Sequence, residues 1–253
     1  MPRTARKKSK SGIYHVMMRG INRQKIFLEE DDNIKFIETL KKYKEISGYD
    51  LFGYCLMGNH LHLLMKENKE SLGTTIQRIC SSYVLWYNKK YDRIGHLFQE
   101  RFKSEPVEDD TYFLVVLRYI LQNPVKAGIV SKAQDYEWSN CKDFIDKNGS
   151  TDTDFVLGLF HPDKEKGSAS FIEFVNMTDD DTLPKLRDTK KVSDTEAVEI
   201  IKSKWKINYP PKIQELENNQ RNACLKELKE TCGLSIRQIE RLTGIGRGII
   251  QKI

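Results

Sequence analysis

The first apolar run is Ile13–Arg19 (IYHVMMR), closed by the turn-like Gly20-Ile21-Asn22, and it reads as a strand. A helix is predicted next. Asp31 and Asp32 can cap it, and Ile34, Phe36, Ile37, Leu40 and Tyr43 recur at helical spacing until Ser47-Gly48 stops it. Two further apolar runs, Tyr49–Met57 and His60–Lys66, are split by Gly58-Asn59, a dipeptide that joins antiparallel strands, so they read as a hairpin. Leu72, Ile76, Ile79, Tyr83, Trp86 and Tyr87 mark one face of a second helix running to about Lys90. A loop and a strand are expected within Gly95–Glu108. A third helix follows over Asp109–Gln122, capped by Asp109 or Asp110 and ended by Pro124. The order β-α-β-β-α-β-α predicts an α+β unit, an antiparallel sheet with helices packed on it as in ferredoxin-like and RRM-like folds, ending near residue 150.

Beyond that point the pattern weakens. A polar joint (DKNGSTDTD), a short apolar helix around Asp154–Phe160 and an acidic-to-basic stretch at Thr178–Lys191 read as a helical linker over 151–215. After Pro210-Pro211 the pattern is helical to the end. Ala223–Thr231, Ile236–Leu242 capped by Ser235, and Arg247–Ile253 after Thr243-Gly244-Ile245-Gly246 read as an all-α helix-turn-helix module over 216–253. Seven basic side chains against three acidic ones over 221–253 suit that module to DNA. Arg237, Arg241 and Arg247 are its candidate DNA contacts. A helical packing or dimerisation tail is the plainer alternative, and Gly246 and Gly248 weaken the last helix by roughly 1 kcal/mol each relative to alanine.

Composition narrows the classes. With 39% apolar and 31% charged residues over 253 positions, the chain is rich enough in Phe, Tyr, Leu and Ile to fold. No run approaches the roughly 18 apolar residues of a membrane span, and no apolar signal segment follows the N-terminus. A cytoplasmic protein is expected. Five scattered cysteines without C-x-x-C spacing argue against a disulfide framework and a cysteine-built zinc site. The net charge of +6 is concentrated in Arg3, Arg6, Lys7, Lys8 and Lys10, and again in Lys89, Lys90, Arg93, Arg101 and Lys103. A polyanionic partner is consistent with this, as is an ordinary solvated basic surface.

Candidate chemistry lies in the hairpin. Strand side chains alternate between faces, so His60 and His62 project together while Leu61 and Leu63 turn the other way. Two adjacent imidazoles can chelate a divalent cation, although H-x-H alone is common. The third helix offers what such a site would lack. Tyr119 and Asn123, four apart on one helical face, interrupt an otherwise apolar sequence, although a core tyrosine would look the same. Pro124 is expected to bias Asn123 away from helical geometry.

Five blocks in order, YHVMMRGINRQ (14–24), MGNHLHLL (57–64), GHLFQERFKS (95–104), YILQNPVKAG (119–128) and YEWS (136–139), resemble the HUH single-tyrosine transposases, and within them the REP-associated branch. The resemblance covers roughly residues 12–140. It implies that His60, His62 and Asn123 bind Mg²⁺ or Mn²⁺, and that Tyr119 attacks a phosphodiester of single-stranded, hairpin-associated DNA. A 5′-phosphotyrosine and a free 3′-OH would result, and flanking duplex would be read by the C-terminal module. Arg101 and Lys103 are expected to meet phosphates, with Arg19, Arg23, His96 and Lys126 as further DNA contacts. Tyr112 and His15 read as packing residues, and the aromatic stripe Tyr83, Trp86, Tyr87 as core rather than a base-stacking platform. A DNA-binding regulator without strand transfer, and a nuclease that activates water, are the competing readings. A homodimer is possible, and one chain leaves open whether Tyr119 serves its own site or a partner's.

Overall fold

The computed structural model describes residues 6–146, 149, 151–177 and 192–253. Arg3 and the stretch 178–191 lie outside the described residues. The chain divides into two compact units, Met1–Leu183 and Pro184–Ile253.

The first unit is built on a four-stranded antiparallel sheet in the order β2-β3-β1-β4, from β1 (Ile13–Arg19), β2 (Asp50–Met57), β3 (His60–Lys66) and β4 (Lys103–Pro106). Helices α1 (Glu30–Ser47) and α2 (Leu72–Lys90) cover one face, where Val16, Met18, Leu61, Leu63, Phe36, Ile76 and Tyr83 share a core. Helix α3 (Asp110–Lys126) covers the other with Cys55, Met57, Leu64, Val116, Leu117 and Ile120. The predicted element order and the α+β class are those observed. Tyr83 and Tyr87 are buried in the α1/α2 core and Trp86 packs against it, so this stripe is core.

Local chemistry explains the elements. Ser71 caps α2 by accepting from the Thr74 N–H, Asp109 caps α3 from Tyr112 N–H, and Gly48 ends α1 in the left-handed region at φ 64°. Gly53 sits at a bulge in β2, and a Cβ there would lie 2.6 Å from Leu117 Cδ1. The missing side chain lets α3 approach the sheet. The outer edge of β2 is sealed by the segment after α3. Asn140, fully buried, accepts from Tyr54 N–H at 2.7 Å and donates to the Phe52 carbonyl, while Tyr136 Oη donates to the Leu56 carbonyl. That is the physical work of the YEWS block and its neighbour.

Asp32 ties the entry to α1 onto the end of α2. Its fully buried carboxylate accepts from the Leu28 and Glu29 N–H groups, from Lys90 Nζ at 2.9 Å and from Tyr91 Oη. Burial alone would raise its pKa, but Lys90, the two backbone N–H groups and Tyr91 together hold it below the ordinary value. A group depressed in the folded state stabilises above its unfolded pKa and loses that contribution as pH falls through the folded one. Asp32→Ala is therefore expected to cost about 2–4 kcal/mol in urea unfolding at pH 7, with the difference from wild type shrinking below about pH 4. A cost under about 0.5 kcal/mol at pH 7 would rule this role out.

Two stretches differ from the sequence reading. Helix α3 does not stop at Pro124 but continues to Lys126, with the proline inside it. Pro124 cannot donate to the Ile120 carbonyl, and the Asn123 side chain supplies a 3.4 Å hydrogen bond to that oxygen instead. Asn123 accordingly stays helical. The residues read as one linker divide between the two units because their helices are amphipathic and each finds a core. After the short α4 (Asp143–Asp146), α5 (Thr153–Gly158) and α6 (Lys164–Asn176) bury Val156, Leu157, Phe171 and Val175 in the cluster that holds α3. Helix α7 (Asp194–Trp205) buries Ala197 and Ile201 in the second unit with α8 (Asn218–Glu230), α9 (Ile236–Thr243) and α10 (Arg247–Lys252). In that unit Ser235 caps α9 by accepting from Gln238 N–H, and Gly244 closes it at φ 74°. Among the described residues, no helix is long and apolar enough to cross a membrane.

Candidate active site

Register places the polar side chains of three strands on the α3 face. In antiparallel pairing, residues directly opposite point to the same side. Arg19 lies opposite His60, Met17 opposite both His62 and Lys103, and His15 opposite Leu64 and Glu105. Arg19, His60, His62, His15 and Lys103 thus belong to the same face as Leu64, which packs under α3.

Both histidines of the H-x-H pair are held through Nδ1. His60 Nδ1 lies 2.7 Å from Asn59 Oδ1, and the same Asn59 amide donates through Nδ2 to the Arg23 carbonyl. An amide oxygen only accepts, so in this contact the proton sits on His60 Nδ1. His62 is 1% exposed and its Nδ1 lies 2.9 Å from His15 Nε2. Burial, then the neighbouring His15, His60 and Arg19, pushes the His62 pKa well below the ordinary value, and burial pushes His15 to about 4. Both rings are neutral near pH 7, and neutral imidazole is the form that binds metal.

Tyr119 meets this pair from α3. Its ring contacts His62 edge-on with centroids 5.6 Å apart and His15 at 5.9 Å, within a single chain. Lys126 Nζ stands 5.7 Å from the Tyr119 ring centre, two turns along the helix. Asn123, one turn on, sends its Nδ2 to the Tyr119 carbonyl at 2.8 Å. That bond commits the amide nitrogen to the helix, leaving Oδ1 as the atom that could accept or ligate. Tyr112, on the same helix, has a phenol pushed up first by burial and then by the Glu105 carboxylate, the opposite of what a nucleophile needs.

Other predicted contacts fall elsewhere. Arg23 is exposed beside the Asn59 turn, its backbone in the left-handed region at φ 61°. His96 is exposed in the segment that runs along the end of β1, where Ile21 N–H bonds to the Leu97 carbonyl and Gln99 N–H to that of Arg19. Arg101 is exposed near Arg6, whose pKa is lowered by burial and then by the Arg101 charge. In the second unit Arg237 is exposed, Arg241 pairs with Asp194 at 2.6 Å and Arg247 with Glu240 at 2.7 Å. Asn59 and His15 were not among the predicted site residues. Asn59 reads as turn chemistry, but it adjoins His60; His15 alternates with Met17 and Arg19, so one strand face carried two polar residues.

Among the described residues, no three or more His, Cys, Asp or Glu side chains are grouped to hold a metal ion. The donor set expected from the sequence, two imidazoles and an amide oxygen, would suit an ion that completes its shell with water and phosphate oxygens. Fold and register together set His60, His62 and Arg19 on one face of an α+β unit, with Tyr119 of α3 against His62. Residues 8–123 match the family described as "Transposase IS200 like". The chain is 29% identical over 144 residues to a protein of Haemophilus influenzae that carries the name REP-associated tyrosine transposase, covering 52% of this chain and 81% of that one. Solved structures similar to this chain include a REP-associated tyrosine transposase bound to a REP hairpin, at 18% identity and TM-score 0.49 over 57% of this chain and 86% of that chain. Another is a transposase from Deinococcus radiodurans, at 16% identity and TM-score 0.34 over 49% and 96%.

Proposed function

We propose that this chain cleaves and rejoins single-stranded, hairpin-associated DNA through a covalent link to Tyr119. The observation that carries the reading is the tyrosine ring set edge-on against the buried His62 of the same chain, beside His60. Tyr119 Oη attacks the scissile phosphorus as the phenol gives up its proton. An O–P bond forms, the P–O3′ bond breaks, and the departing 3′ oxygen takes up a proton. Attack by a 3′-OH on the 5′-phosphotyrosine reverses these changes and reseals a strand. The bond energy is kept in the adduct, so no nucleotide cofactor is needed, in keeping with the absence of a G-x-x-x-x-G-K-[ST] motif.

A phenol with a pKa of about 10 is a weak nucleophile at neutral pH. Mg²⁺ or Mn²⁺ held by His60, His62 and Asn123 Oδ1 would draw charge from the phosphate and ease departure of the 3′ oxygen. Arg19, beside His60, and Lys103, across Met17 from His62, would seat the flanking phosphates, and Lys126 would counter charge at the Tyr119 oxygen. Labelled hairpin DNA incubated with protein and Mn²⁺, then run on a denaturing gel, tests the reading. A protein-linked band supports it; free cleavage product alone would indicate a water-activating nuclease, and no cleavage a DNA-binding regulator.

The second unit, by this reading, is a helix-turn-helix that reads duplex beside the hairpin. Helices α9 and α10, joined by a tight turn at Gly244–Gly246, support it, as does the basic surplus. Because Ala197 and Ile201 of α7 share that unit's core, the deletion that removes the whole unit is 184–253. The shortened chain is expected to cleave a pre-formed hairpin within a few-fold of full length. Its slope of log affinity against log salt should flatten on substrates with natural flanking duplex, and its preference over random duplex should fall. Unchanged slope and preference would make the unit a packing or dimerisation element.

A further inference from the structure

We infer that His15 is a positioning residue that sets the tautomer of His62, so that His62 offers Nε2 to a metal ion. This rests on the metal role proposed for His62. The geometry is that of a shared proton: two imidazole nitrogens, His15 Nε2 and His62 Nδ1, lie 2.9 Å apart, with both side chains almost wholly buried. A contact that short between two nitrogens holds one hydrogen, so one ring donates and the other accepts. There are two arrangements. In one, His15 donates, and neutral His62 then carries its own proton on Nε2 and has no lone pair left for a ligand. In the other, His62 donates from Nδ1 and its Nε2 lone pair is exposed to a ligand. Only the second is compatible with metal binding at His62.

The first histidine of the pair gives the pattern. Asn59 Oδ1 accepts from His60 Nδ1, which puts the His60 lone pair on Nε2 without ambiguity. His15 occupies the same position relative to His62. It does so from β1, across the sheet, whereas Asn59 comes from the β2–β3 turn. Metal-bound histidines commonly donate their second ring nitrogen to a carboxylate, carbonyl or water, which orients the ring and raises its basicity. A neutral imidazole in that place orients the ring without adding a negative charge beside an incoming phosphodiester. His15 also packs against the Tyr119 ring at 5.9 Å, so the same side chain borders both the ligand and the nucleophile.

The test uses the full chain and two variants. His15→Gln keeps an acceptor near the position of Nε2, and His15→Phe removes it while filling similar volume. Long-range ¹H–¹⁵N spectra of the metal-free protein report the tautomer directly, and Mn²⁺ titration monitored by electron paramagnetic resonance reports affinity without turnover. The expected result is His62 protonated at Nδ1 in wild type and His15→Gln, with this preference lost in His15→Phe. Mn²⁺ affinity should fall roughly 10–100-fold in His15→Phe and be restored to within a few-fold in His15→Gln. Metal-free hairpin binding should stay within a few-fold in both, which separates positioning from misfolding. A wild-type His62 protonated at Nε2, or equal Mn²⁺ affinity in all three proteins, overturns the inference. If wild type binds Mn²⁺ and His62→Ala abolishes binding while His15→Phe does not weaken it, the role of His15 alone fails. If wild type binds no Mn²⁺, the metal reading fails and this one with it.

Discussion

Tyr119→Phe is expected to eliminate the covalent protein–DNA band, a loss of at least about 10³-fold, while hairpin affinity stays within a few-fold. The substitution removes one oxygen and keeps the ring that packs edge-on against His62 and His15. Geometry at the site should therefore survive, and only the attacking atom is lost. Tyr112→Phe is the control. Its phenol is held protonated by burial and by Glu105, and its ring packs against the α3 core, so the adduct yield should be unchanged. Adduct formation by Tyr119→Phe would move the nucleophile elsewhere on the chain and sink the assignment.

His62→Ala is expected to abolish cleavage at any practical Mn²⁺ concentration and to lower Mn²⁺ affinity by more than about 100-fold. One imidazole and one amide oxygen are too few protein donors to retain the ion against water. The mutation also leaves His15 Nε2 without its partner in a buried site, at a cost of about 1–3 kcal/mol in stability. Hairpin binding without metal separates these effects. A folded variant that binds hairpin but neither retains metal nor cleaves fits the assignment, and one that cleaves at the wild-type rate would return the H-x-H pair to the status of ordinary strand residues. His60→Ala is expected to behave likewise, with a smaller stability cost because His60 is only partly buried.

Much of this protein is written in local pattern. Strand alternation, the Gly58-Asn59 turn, the Ser47-Gly48 stop and the caps at Ser235 and Asp109 concern neighbours in sequence, and each element they predict is present. Alternation within β3 likewise set His60 and His62 on one face, and helical spacing set Tyr119 one turn from Asn123. Where neighbours in space decided, sequence was silent or misleading. The path through Pro124 depends on the Asn123 side chain replacing a lost backbone donor. Which core each linker helix joins was not legible locally, since α5 and α6 bury Val156, Leu157, Phe171 and Val175 in the cluster that holds α3. His15 shows the division most clearly. Its position on one face of β1 follows from alternation, but its contact with His62 depends on the β1–β3 register, which pairs residues 47 apart in the chain. Which His62 nitrogen carries the proton is a property of that contact, since the proton goes where a partner waits, and only the folded sheet supplies the partner.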